Sequence, residues 1–214
     1  MDKIIDFLIE PYRNAETYMV VLEMTAAFLG ILSVWFSRKE NILVYPTGIL
    51  STGIYVYLLH KYELRGDMVI NAYFFAMSIY GWYNWSRETE GTTSTLQITT
   101  TNKREKIIGA LIFIAGVIFV FFAYKVFGTK ITYITYTDSF TTAVFFVAMW
   151  YMALKKIENW LLWIAGNIVS IPLYLVKGLG FTAIQYTVFL VLAIMGYLEW
   201  KKRMQKEKQI AASI

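Results

Sequence analysis

The chain has 214 residues, 57% hydrophobic and only 16% charged, with a net charge of +5 and a mean hydropathy of +0.50. A water-soluble domain carries about 25% charged residues, so the composition excludes one and predicts an all-α protein that crosses the membrane several times. Cysteine is absent and histidine occurs once, at His60, which excludes disulfides, thiolate metal centres and iron–sulfur clusters; no GxxxxGK[ST] P-loop for ATP occurs either.

Residues 1–17 are acidic and broken by Pro11, with Ile4, Ile5, Phe7, Leu8 and Ile9 apolar. They read as an amphipathic segment on the membrane surface and not as a signal peptide. Seven spans follow: Tyr18 to Phe36, Ile42 to Leu59, Met68 to Trp85, Ile107 to Phe127, Phe140 to Leu154, Trp160 to Val176 and Thr182 to Trp200. Several approach the lower limit of about 17 residues for crossing a bilayer. The spans divide the chain into a first three-helix bundle (18–86), a polar threonine-rich loop (87–106), a connector helix (107–127), a second bundle (138–200) and a basic tail (201–214). Of the 20 Lys and Arg, seven fall on the side of the N-terminus and 13 on the other. Positive charge stays inside, so the N-terminus is expected outside, and the loop and C-terminus in the cytoplasm. The basic balance then reflects topology, and no nucleic-acid partner is needed to explain it.

The halves repeat one another. ENILVYPTG from Glu40 matches ENWLLWIAG from Glu158 at an offset of 118, pairing Tyr45 with Trp163 and Asn167 with Ile49. After a loop three residues longer in the first half, Gly81, Trp82 and Trp85 match Gly196, Tyr197 and Trp200 at an offset of 115. Spans four apart enter the membrane in the same direction. The expected architecture is therefore two parallel three-helix repeats joined by a connector, a 3+1+3 arrangement of the SWEET type.

The sixth span carries the densest chemistry. Trp160, Trp163, Asn167, Ser170 and Tyr174 share one helical face, and Pro172 removes a backbone N–H beside them. An amide in a membrane helix is costly without a partner. Indoles stack on flat rings and attract cations, while Asn167 offers both a donor and an acceptor. The face therefore suits a flat aromatic ligand with a hydroxyl-bearing or amide tail. The alternative is an aromatic belt at Trp160 and a helix-packing amide at Asn167. Thr52 and Tyr55 in span two, Asn71 in span three and Gln185 in span seven add polar groups to the expected site or serve as packing groups. Asp138 reads as a helix N-cap or as a ligand or gating group. Glu23, about 7 to 8 Å inside span one at 1.5 Å per residue, is the one acid well inside a span. It is too isolated to favour ion coupling, so movement down a gradient is expected.

GDMVINAYFFAMSIYGWYNW in the first half and KKIENWLLWIAGNIVSIPLYLVKG in the second resemble the PnuC family of vitamin transporters, from about Val20 to Trp200. The WxxWxxxN pattern at Trp160, Trp163 and Asn167 is similar to that family's substrate-site signature. The resemblance implies a seven-helix trimer in the bacterial inner membrane. It further implies facilitated diffusion of nicotinamide riboside, thiamine or a related compound, with trapping by a cytoplasmic kinase and no cofactor. A membrane enzyme would need a cluster of intramembrane His, Asp or Glu, which the sequence lacks. A non-transporting receptor or scaffold is the competing reading from another class.

Overall fold

The computed structural model describes residues 16–87, 96–126 and 131–212. It contains seven helices there: α1 Thr17–Arg38, α2 Val44–Lys61, α3 Arg65–Ser86, α4 Lys103–Val126, α5 Tyr133–Ala153, α6 Glu158–Val176 and α7 Gly180–Ala212. The expected surface segment, up to residue 15, and the centre of the threonine-rich loop, 88–95, lie outside the described residues.

All seven expected spans are helices. By length and composition α1, α4, α6 and α7 are apolar enough to cross a membrane; the chain is a multi-pass membrane protein. Helices α2, α3 and α5 have 18, 22 and 21 residues but more polar sequences. Their polar side chains, among them Ser51, Thr52, Asn71, Ser78, Thr141 and Thr142, line an internal cavity. Large apolar side chains such as Phe28, Ile118, Phe122 and Leu198 are instead exposed on the outer surface, where lipid is their natural solvent.

Six helices close into a ring in the spatial order α1, α2, α3, α5, α6, α7, with α7 packing back on α1, while α4 leans on α5 from outside. Helix α5 is the most deeply buried of them, with Ala143 to Met149 continuously buried. It begins at Tyr133, seven residues before the expected start at Phe140, because Thr132 takes the capping position: its backbone N–H donates to Thr135 Oγ1 at 3.1 Å. This corrects the N-cap reading of Asp138, which sits inside the helix.

Equivalent features recur 115 residues apart along the described chain. The ends of α1 and α5 (Arg38, Ala153), the ends of α2 and α6 (Lys61, Val176) and the starts of α3 and α7 (Arg65, Gly180) all obey this spacing. So do the left-handed turn residues, Glu40 with Lys155 and Glu63 with Gly178, at φ of 59°, 51°, 57° and 77°. The turn between α2 and α3 is as long as that between α6 and α7, so the three-residue loop difference expected from sequence is not present. The Glu-Asn match at an offset of 118 differs from this spacing by three residues, nearly one helical turn. A spacing of 115 sets Tyr45 against Trp160 and Thr52 against Asn167.

Close packing follows the same spacing. The Tyr45 ring covers Gly81 and the Trp160 ring covers Gly196, where an added Cβ would collide with the ring in each case. Tyr45 meets Trp85 edge-on at 5.1 Å, and Trp160 meets Trp200 edge-on at 5.5 Å. The Trp85 indole N–H donates to the Met152 carbonyl at 3.2 Å, and the Trp200 indole N–H donates to the Ser37 carbonyl at 3.1 Å. Each half thus holds the last turn of the first helix of the other half, through a bond worth about 1 kcal/mol net. Lys155 and Glu40, themselves 115 apart, form an ion pair at 2.7 Å, and Arg203 reaches Glu40 at 3.1 Å.

The end of the loop straps the same region. Thr99 N–H donates to the Lys155 carbonyl and accepts at its own carbonyl from Ile157 N–H, at 3.1 and 3.0 Å. Ile98 is buried in the aromatic cluster, and Thr101 donates to the Glu158 carboxylate through both its N–H and its hydroxyl.

Candidate substrate-binding cavity

The ring encloses a cavity of about 1410 Å³. Its lining starts at the Tyr62–Asp67 and Lys177–Thr182 turns and ends at Val44, Tyr45, Met152, Trp160 and Ala193, against the latched aromatic cluster. Ligand pockets usually measure about 300–1,000 Å³, so the cavity has room for a ligand together with an open approach.

Of the ten residues expected at the site, Trp160, Trp163, Asn167, Asn71, Thr52, Tyr55, Tyr174, Gln185 and Asp138 line this cavity, and Ser170 does not. Helix geometry explains the exception. At about 100° per residue, Trp163, Asn167 and Tyr174 fall within about 40° of one another, with Trp160 and Ser170 at opposite edges of the arc. Ser170 is turned into the protein, 1% exposed, and its placement at the cavity is corrected on that ground. Trp160, also 1% exposed, commits its ring to Gly196 and Trp200 and reaches only the inner tip of the cavity.

Trp163 opens a run of near-parallel rings. It stacks on Phe145 at 5.2 Å, Phe145 on Tyr186 at 5.9 Å, and Tyr186 on Tyr174 at 4.9 Å, with interplanar angles of 26°, 24° and 17°. All four rings line the cavity, and the column presents both ring faces and hydroxyls to whatever enters. Phe145 was not singled out in the sequence; its signal is indirect, a close fit against Gly166. Tyr186 was legible only as a polar group beside Gln185 at the outer end of span seven.

Around the column the polar groups differ in what they can still offer. Asn167 is 1% exposed, and its Oδ1 has no hydrogen-bond partner among the described residues. A buried amide oxygen left this way costs about 1 to 3 kcal/mol, which a ligand donor would recover. Thr52 already donates to the Gly48 carbonyl at 2.7 Å, so its oxygen remains as an acceptor. Asn71 donates one N–H to the Asp67 carbonyl at 3.0 Å and keeps its other amide groups. Tyr55 of α2 and Gln185 of α7 lie close together on the cavity wall. Asp138 is engaged by Lys177 Nζ, 2.6 Å from each oxygen, and by the Tyr124 hydroxyl at 2.7 Å. No group of three or more potential metal ligands occurs among the described residues.

The chain is similar to known transport proteins. A family model described as nicotinamide mononucleotide transporter matches residues 20–202. The nicotinamide riboside transporter PnuC of Escherichia coli is 23% identical over 201 residues, covering 84% of each chain. That of Neisseria mucosa is 26% identical over 197 residues, covering 86% of this chain and 73% of the relative. The riboflavin/roseoflavin transporter RibM of Streptomyces davaonensis is 23% identical over 204 residues, covering 94% and 93%. The crystal structure of the vitamin B3 transporter PnuC superposes with a TM-score of 0.69 at 25% identity, covering 90% of this chain and 84% of that one. With a family match over residues 20–202 and a shared fold at a TM-score of 0.69, the chain belongs to the PnuC family of vitamin transporters.

Proposed function

We propose that the protein carries nicotinamide riboside across the bacterial inner membrane by facilitated diffusion, and that the compound is trapped inside by phosphorylation. The observation that carries this reading is the stacked column of Trp163, Phe145, Tyr186 and Tyr174, with the buried Asn167 Oδ1, which has no hydrogen-bond partner among the described residues, beside it in one cavity. A flat pyridinium ring fits against the column, and ribose hydroxyls suit Asn167 as donors.

The two halves, α1–α3 and α5–α7, are parallel three-helix repeats with α4 as connector, the 3+1+3 arrangement of SWEET-like proteins. The 115-residue spacing and the reciprocal indole bonds support that reading. Alternating access then consists of releasing the latch at the Trp85 and Trp200 end while the turns at residues 62–67 and 177–182 close. With the N-terminus outside and the C-terminus in the cytoplasm, the latched end is the cytoplasmic gate. The active assembly is a homotrimer.

A flavin is the second reading for the substrate, favoured by the RibM relative and by the length of the column; thiamine, another flat cation, is the third. Uptake of the three labelled vitamins by the purified protein in liposomes, without ion gradients, separates them. Saturable entry of nicotinamide riboside that stops at equal concentrations on both sides is the expected result. Entry of riboflavin or thiamine alone replaces the substrate, binding without flux replaces transport by a receptor role, and accumulation abolished by Glu23→Gln replaces uniport by coupled transport.

A further inference from the structure

The aromatic column ends in a cation. Lys177 Nζ lies 5.1 Å from the centre of the Tyr174 ring and is held by both oxygens of Asp138. A positive group set against a ring face and flanked by carboxylate is the arrangement proteins use to bind organic cations, and here a side chain of the protein occupies part of it. A second carboxylate, Asp67 in the first turn of α3, interacts electrostatically with both Lys177 and Asp138 and lines the same cavity. Asp138 is already engaged by Lys177 and the Tyr124 hydroxyl. Asp67 is exposed to the cavity and makes no side-chain hydrogen bond among the described residues.

The charge of the cavity points the same way. Its lining contains the carboxylates of Glu23, Glu63, Asp67 and Asp138 against the cations of Arg65 and Lys177, an acidic excess in a chain of net charge +5. A separate sign of a ligand is the Asn167 oxygen, buried and unpartnered in this cavity. Asn167 and Tyr174 are two helical turns apart, about 10 Å along the axis at 1.5 Å per residue, a span that matches a ring joined to a sugar.

Resting on the transport reading above, we propose that Asp67 is the specificity residue for positive charge. An entering aromatic cation lies along the column with its charge toward Asp67, while Lys177 remains with Asp138. Cationic vitamins are then preferred over uncharged compounds of the same shape, and a phosphomonoester, doubly negative, is the least favoured.

The test compares nicotinamide riboside with its uncharged dihydro form and with nicotinamide mononucleotide, in proteoliposomes held at zero membrane potential. The wild type is expected to favour the cation over the dihydro form by about tenfold, the size of one partly screened carboxylate–cation contact, and to exclude the mononucleotide. Asp67→Asn is expected to abolish that preference while still carrying the dihydro form, and Asp67→Glu to keep it. A preference unchanged in Asp67→Asn overturns the proposal, as does an equal loss of both compounds, which marks a structural role. A wild type that carries both forms at equal rates overturns the proposal and leaves the transport reading standing. A wild type that carries neither overturns both.

Discussion

Replacing Asn167 by leucine separates a ligand-binding amide from a packing amide, because the two roles move stability in opposite directions. Both side chains branch at Cγ, so the exchange changes shape little. In the ligand-free protein the amide is 1% exposed and its oxygen has no partner among the described residues. Its present contribution to folding is therefore a cost of about 1 to 3 kcal/mol, and leucine is expected to leave the melting temperature in detergent unchanged or raise it. Binding is expected to fall by one or two hydrogen bonds, about 1 to 3 kcal/mol, or roughly 5- to 150-fold in Kd. Tracer binding and thermal unfolding on the same preparation read both quantities. Unchanged affinity together with a lower melting temperature would refute the reasoning, because the amide would then be holding helices together.

Cysteine is absent from the chain, so a single cysteine at Ser37, which is 1% exposed, reports opening of the latched end; Trp200→Phe in that background is expected to speed its modification by a thiol reagent several-fold through loss of the indole bond to the Ser37 carbonyl. Lys155→Met is expected to lower stability by about 1 to 2 kcal/mol, less than a fully buried pair, because Arg203 still reaches Glu40; thermal unfolding checks it. Gly196→Ala places a Cβ against the Trp160 ring and is expected to cost about 1 to 3 kcal/mol by overpacking, read from the same melting curves. Ile98→Ala is expected to loosen the strap on the α5–α6 turn, visible as faster hydrogen exchange at Thr99 and Ile157.

The helices were legible because bilayer-length apolar runs leave little choice of structure. So was the sixth span's face: a periodic set of indoles and an amide in apolar surroundings needs an interior to face. The 115-residue spacing was not legible, because a Glu-Asn pair matched by identity at an offset of 118 while Tyr45 and Trp160, which perform the same packing over glycine, differ in type. Asp138 looked like a cap because Thr137 and Ser139 flank it, and the true cap, Thr132, lay in a polar stretch without a strong apolar pattern. Phe145 could not be distinguished from other apolar helix residues, and the stacking of Tyr186 was not legible, since it depends on how α5, α6 and α7 meet. The Lys177–Asp138 pair joins the end of α6 to α5 across 39 residues of sequence, beyond the reach of local periodicity.

The most direct measurement is a structure of the protein with nicotinamide riboside bound. The account predicts density for the pyridinium ring against the Trp163–Tyr174 column, with a ribose hydroxyl donating to Asn167 Oδ1. Ligand density elsewhere on the protein, or a cavity that stays empty at saturating ligand while Asn167 finds a protein partner, would contradict it.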